Sequence, residues 1–182
     1  MMPEAYFSVD VEAAGPVAAK YSMLSLGACL VGQSDVSHYV ELKPISMEFL
    51  PAALEVSGFD MSYLAINGEA PALAMPAFKR WVEKAAAGRR PVFVGFNASF
   101  DWQFVNWYFL AFTDGNPFGI GAVDIKSYYM GAIGVTWGET TSSQLPSRFQ
   151  PDIPQTHNAL DDARAQASIF EKLLHSAKLK SC

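Results

Sequence analysis

The sequence predicts an α/β fold built on a mixed sheet, on three observations. Strand-like segments come first and helix–strand alternation follows. The run Val92-Phe93-Val94-Gly95-Phe96 is continuously apolar, as in a strand buried on both faces. A long helix with Leu160, Ala163, Ala167, Phe170 and Leu174 on its packing face closes the chain.

In order, residues 6–12 read as a strand, rich in aromatic and β-branched side chains. Ala13-Ala14-Gly15-Pro16 breaks it. Strands over 23–31 and 36–42 follow, joined as a hairpin through a turn at Gly32-Gln33-Ser34-Asp35. A short helix is expected over 46–57, ending at Gly58. A full helix over 71–87 carries Leu73, Phe78, Trp81, Val82 and Ala85 as its apolar stripe and stops at Gly88. Arg89-Arg90 read as solvated loop charge. After the buried strand come an aromatic helix over 100–112, a short fifth strand over 121–125 and a helix through Tyr128-Tyr129-Met130. Residues 134–155 are the least regular segment and the candidate for a mobile lid or loop. The last helix is expected over 159–177. No internal repeat, linker or G-x-G-x-x-G dinucleotide fingerprint is present.

At 182 residues and half apolar, the chain is long enough for one domain, 1–182, with a continuous core. A net charge of −5 argues against coating nucleic acid through a basic surface, though not against a metal-lined cleft that takes a short strand end. The two cysteines, Cys29 in an apolar run and Cys182 at the terminus, fit neither a disulfide framework nor a metal-ligand spacing. No signal peptide precedes Pro3 and no apolar run reaches membrane-span length, so a cytoplasmic location is expected. Asn97-Ala98-Ser99 formally fits a glycosylation acceptor, which carries no meaning in such a chain.

Three clusters of polar residues stand out. On the first strand, Phe7, Val9 and Val11 share one face while Ser8, Asp10 and Glu12 share the other. Asp10 and Glu12 therefore project side by side, roughly 7 Å apart at the backbone. Two carboxylates at ~4 Å repel by about 4 kcal/mol at an effective dielectric of 20, unless a cation or a proton lies between them. Taken alone, the pair is explained by the wet side of an edge strand. Asp101 opens the aromatic helix, with Asn97 or Ser99 as N-cap, and a carboxylate in a first turn is favoured by the helix dipole. The strand-to-helix junction is equally where functional side chains collect. In His157-Asn158-Ala159-Leu160-Asp161-Asp162, a five-residue step turns about 140° around a helix, so His157 and Asp162 meet only if His157 lies in the preceding loop. Asn158 is then the N-cap, Asp161 answers it at N3 in a capping box, and Asp162 is the candidate ligand.

Ser8-Val9-Asp10-Val11-Glu12, Asn97-Ala98-Ser99-Phe100-Asp101 and His157 through Asp162 resemble, in order and spacing, the three signature motifs of the DEDDh 3′–5′ exonucleases. That superfamily includes the proofreading subunit of bacterial replicative polymerases. The resemblance implies a ribonuclease H-like three-layer fold, with a central mixed five-stranded sheet flanked by helices. It implies that Asp10, Glu12, Asp101 and Asp162 hold two Mg²⁺ or Mn²⁺ ions, a donor set of oxygens that suits hard cations. It makes His157 the general base, and nucleoside 5′-monophosphates the product, released from the 3′ ends of single-stranded DNA or RNA or of short oligonucleotides. Ala13, Asn97 and Phe100 match family positions near the terminal nucleotide. Where the family usually has Thr-Thr-Gly after the glutamate, this chain has Ala13-Ala14-Gly15 and lacks the hydroxyl.

Two other readings compete. One is a non-catalytic nucleic-acid-binding domain of the same fold, and the other is an internally cutting nuclease of ribonuclease H type. His38 and His175 are given structural roles, as are Trp102, Trp107 and Tyr108, at helical spacing in an apolar helix. Tyr128-Tyr129 are more open to substrate contact. The sequence leaves open a DNA or RNA preference, a homodimer and a polymerase partner.

Overall fold

The computed structural model describes residues 2–154 and 156–179; Cys182 and the last residue of the irregular segment lie outside them. A five-stranded mixed sheet has the order β3-β2-β1-β4-β5. Its strands are β1 (Glu4–Ala13), β2 (Met23–Leu30), β3 (Gln33–Glu41), β4 (Arg90–Gly95) and β5 (Ala122–Asp124). β1 pairs antiparallel with β2 and parallel with β4, and β4 is parallel to β5. β1 is thus the middle strand. The edge-strand explanation of Asp10 and Glu12 is overturned.

Among the described residues, six helices flank the sheet: α1 (Pro51–Ser57), α2 (Met61–Asn67), α3 (Pro71–Ala86), α4 (Ser99–Phe112), α5 (Ile125–Ile133) and α6 (Ala159–Leu179). The alternation of β1 sends Phe7, Val9 and Val11 into a large core with Phe78, Phe104 and Phe109 of α3 and α4. On the opposite side, Tyr6 and Val94 pack with Phe170 of α6 and Tyr129 of α5. A satellite cluster of Ala14, Tyr21, Leu24, Met61 and Leu64 ties α2 to the end of β1. The expected three layers are present.

Several local expectations change. The short helix starts at Pro51, not at residue 46, because a proline fits the first helical position and biases its predecessor away from helix. α2 was not anticipated, although Asp60 caps it by accepting from the backbone of Ser62 and Tyr63. The hairpin turns tightly at Val31-Gly32, where Gly32 has φ +82°, so Gln33 already belongs to β3. In α3 the buried stripe is Ala74, Met75, Phe78, Val82 and Ala86; Leu73 faces solvent, and Trp81 and Ala85 are half-buried. β4 is fully buried only at Phe93, Val94 and Gly95. Arg89 is not free loop charge, since its guanidinium donates to the carbonyls of Ala85 and Ala86 at the end of α3, and Arg90 begins β4. Residues 134–154 are irregular, as expected, and contain three short 3₁₀ turns. Leu145 and Phe149 anchor them in the core, and Gln150 donates to the carbonyls of Ser142 and Leu145.

The aromatic residues set aside as structural are so. Trp102 meets Phe93 edge-on at 5.2 Å, and the buried Tyr108 accepts from the Met23 amide. His38 lies against Phe78 and Trp81, and burial lowers its pKa. Tyr129 is buried against Phe149, and Tyr128 packs edge-on to Phe170. Cys29 is buried beside the Ala163 carbonyl, its thiol pushed up to about 12 by burial.

The close approach of α6 to the sheet depends on Gly27, which sits opposite Asp10 in the β1–β2 register. A Cβ there would fall 2.2 Å from the backbone of Ala159 and Leu160. Gly27→Ala is expected to cost ~1–3 kcal/mol or more in urea unfolding, as overpacking against backbone does. Gly131, inside α5 with nothing within 4 Å, should behave oppositely, Gly131→Ala stabilising by ~0.4–1 kcal/mol in the same assay.

Candidate active site

β1 last pairs with β4 at Ser8 and Val94, then runs on past the end of that strand. Beyond this point its backbone has no β4 ladder to bond, and side chains from neighbouring helices take over. The Val11 amide, between Asp10 and Glu12, donates to Asp101 Oδ1 at 3.1 Å. Asp101 sits in the first turn of α4 and is buried. The anticipated N-cap by Asn97 or Ser99 is not what holds this turn. The cap is Ala98, whose amide donates to Asp124 Oδ2 at 2.9 Å, and Asn97 is an exposed residue at φ +66°. Asp124 also caps α5 through Ser127, so one carboxylate at the end of β5 fixes both helix entrances.

At α6, Asn158 is the N-cap as expected, accepting from Leu160 and Asp161. Asp161 does not complete a capping box; it faces Arg164 at 3.5 Å. Asp162 answers the loop instead, its two oxygens accepting from the amides of Thr156 (2.8 Å) and His157 (3.2 Å). This fold-back places His157 at φ +58° in the loop before the helix, exposed. Ligand atoms of Glu12, His157 and Asp162 then lie within 4.8 Å of one another. His157 is therefore near enough to share a cation with the acids, as well as to handle a proton.

Asp10 and Asp101 complete the cluster electrostatically. Burial, then repulsion from Asp101, Glu12 and Asp162, pushes the Asp10 carboxyl well above its usual range, against a Gln166 amide that donates to it. Burial and the Asp162 charge raise Glu12 to about 7. Burial raises Asp101 to about 8, although backbone donors, Val11 among them, oppose it. Among the described residues, the ion pairs use Asp114, Asp161 and Asp152, leaving these four acids without a cationic side chain. An all-oxygen donor set with unbalanced negative charge fits hard divalent cations.

Of the positions expected near a nucleotide, Ala13 lies buried at an irregularity of β1. Ala14 is fully buried, its amide donating to Ser22 and its carbonyl accepting from Leu50. Phe100 is half-buried against Phe104. Three polar residues escaped the sequence reading: Asp124, Gln103 and Gln166. Gln103 clamps the loop after β1, accepting from the Ala18 amide and donating to the Pro16 carbonyl. Gln166 had a legible signal, being a polar residue one helical turn beyond Asp162 on a face otherwise occupied by apolar residues.

The raised carboxyls imply a definite pH response. With divalent cations chelated, the folded chain keeps protons on Glu12 and Asp101 that the unfolded chain, titrating near 4, has released. Their stabilising contribution is complete below about pH 4 and is lost as pH rises to about 8. Thermal melts in chelator should show Tm falling between about pH 5 and 8, with Asp101→Asn flattening the fall.

Comparison with known proteins agrees with this geometry. No protein-family model matches the chain. It is 46% identical over 180 residues to the 3′–5′ DNA exonuclease Cap18 of Escherichia coli, covering 97% of this chain and 96% of that protein. A full-length 3′-exonuclease superimposes with a TM-score of 0.74 at 13% identity, over 96% of this chain and 83% of the other. Escherichia coli exonuclease I in complex with a dA16 oligonucleotide gives a TM-score of 0.64 at 15% identity, over 94% and 41%. The last two show a shared fold. The first shows kinship and makes the chain an enzyme, so the binding-only reading falls. The chain belongs to the DEDD family of 3′–5′ exonucleases, on the ribonuclease H-like fold.

Proposed function

We propose that this exonuclease removes nucleotides from the 3′ end of single-stranded DNA, releasing nucleoside 5′-monophosphates with two divalent cations, Mg²⁺ or Mn²⁺. The observation that carries the reading is the convergence of Asp10, Glu12, Asp101, His157 and Asp162, from β1, α4, the loop leading into α6 and the first turn of α6, at one acid cluster. DNA is supported by the name of the Escherichia coli relative, and a single strand by the likeness in fold to exonuclease I in complex with dA16 and dT13 oligonucleotides. An RNA substrate has weaker support, from the likeness in fold to a 3′-exonuclease that recognises the histone mRNA stem-loop.

Asp10, Glu12, Asp101 and Asp162 would hold the cations. When bound, these supply positive charge to the scissile phosphate and acidify a water. His157, exposed at the rim, takes a proton from the attacking water, a task that suits an imidazole near neutral pH. The end of β1 at Ala13 with the loop after it, held by Gln103 and Ser22, and the entry to α4 with Asn97 and Phe100 flank the place proposed for the terminal nucleotide. Ala14 is packed with no exposed surface and both its amide and its carbonyl are already bonded within the protein, so it offers the nucleotide neither a hydroxyl nor a free backbone group.

Matched DNA and RNA oligonucleotides incubated with Mg²⁺ or Mn²⁺ test the reading. Mononucleotides from DNA, suppressed by EDTA, are the expected result; internal fragments would instead favour the ribonuclease H-type alternative. His157→Ala should lower kcat by ~10²–10⁴-fold while the protein stays folded. Asp10→Asn and Asp101→Asn should abolish release; full activity in any of the three variants contradicts the assignment.

A further inference from the structure

Gln166 is buried in α6, 2% exposed, and makes two hydrogen bonds, one to β1 and one to the residue that follows β4. Its Oε1 accepts from the Phe96 amide at 2.9 Å, and its Nε2 donates to Asp10 Oδ1 at 2.6 Å. The amide has one orientation that satisfies both. A backbone N–H can only donate, so the oxygen must face Phe96 and the NH₂ must face Asp10. Phe96 is the residue at which β4 hands over to the segment that carries Asp101. Asp162 lies four residues before Gln166, on the same face of the helix. One side chain therefore joins the three places from which the acids come.

We propose that Gln166 is a positioning residue for the cation site: bonded to Phe96 and to Asp10 Oδ1, it fixes the rotation of the Asp10 carboxylate against the helix that carries Asp162 and the segment that leads to Asp101. This rests on the two-cation reading above. Without the amide, Asp10 keeps its place on β1 but loses the donor that sets its rotation, and the half-buried Phe96 amide loses its partner. Outer partners of this kind typically change metal affinity by ~10–100-fold. Gln166 touches neither nucleotide nor water in this assignment, so the effect falls on cation binding and not on the oligonucleotide.

Calorimetric titration of Mn²⁺ into the substrate-free chain decides the matter, with Asp10→Asn as the control. Gln166→Met, equal in length and unable to make either bond, should raise the Kd for Mn²⁺ by ~10-fold or more. At saturating Mn²⁺ its KM for the oligonucleotide should match the wild type. A purely structural amide would lower Tm and leave the Kd in place, which overturns the proposal while the two-cation reading stands. A wild-type chain that binds no Mn²⁺ overturns both. Should Gln166→Met not fold, the wild-type protein supplies the answer, because the side-chain ¹⁵N amide signal of Gln166 should shift on Mg²⁺ addition and fail to do so in Asp10→Asn. A signal indifferent to Mg²⁺ that calorimetry shows to be bound refutes the assignment.

Discussion

β1 runs past the end of β4, and the site depends on that mismatch. While the two strands are paired, the parallel ladder satisfies the backbone and the side chains only pack. Past Ser8 the same backbone needs other partners, and Asp101 supplies one by accepting from Val11. The bond draws a carboxylate from α4 to the gap between Asp10 and Glu12. At the corresponding end of β4, the Phe96 amide is met by Gln166. Two backbone donors released by unequal strand lengths thus recruit two side chains.

A cluster of this kind opposes folding unless its charge is balanced. Asp10, Glu12 and Asp101 are all raised above the ordinary carboxyl range, in each case first by burial. The chain answers this cost with backbone and amide donors, not with lysine or arginine. Val11, Thr156, His157 and Gln166 all donate to the acids. These neutral donors orient the carboxylates without cancelling their charge, which leaves that charge to a cation. The close packing at Gly27 serves the same end by letting the start of α6 approach β2 directly.

Much of this was legible in the residue order. Period-two alternation in β1 puts Asp10 and Glu12 on one side, and the observed core confirms the other side as apolar. The placement of His157 before an Asn158 cap follows from helical geometry and holds. Where the reading failed, a long-range partner had replaced a local one. Asp124 caps α4 in place of Asn97 or Ser99, and Arg164 takes Asp161 out of its capping box.

The sequence by itself determined the alternation of strands and helices, the face of β1 that bears the acids, and the three motifs on which the family resemblance was read. These rest on spacing along the chain, which short-range geometry converts directly into direction. Only the tertiary structure decided that β1 is central, that Glu12, His157 and Asp162 come within 4.8 Å, and that Gln166 binds Asp10. Those are contacts between residues up to 156 positions apart. They are set by strand order, by unequal strand lengths and by the one glycine that admits α6, and no local periodicity encodes them.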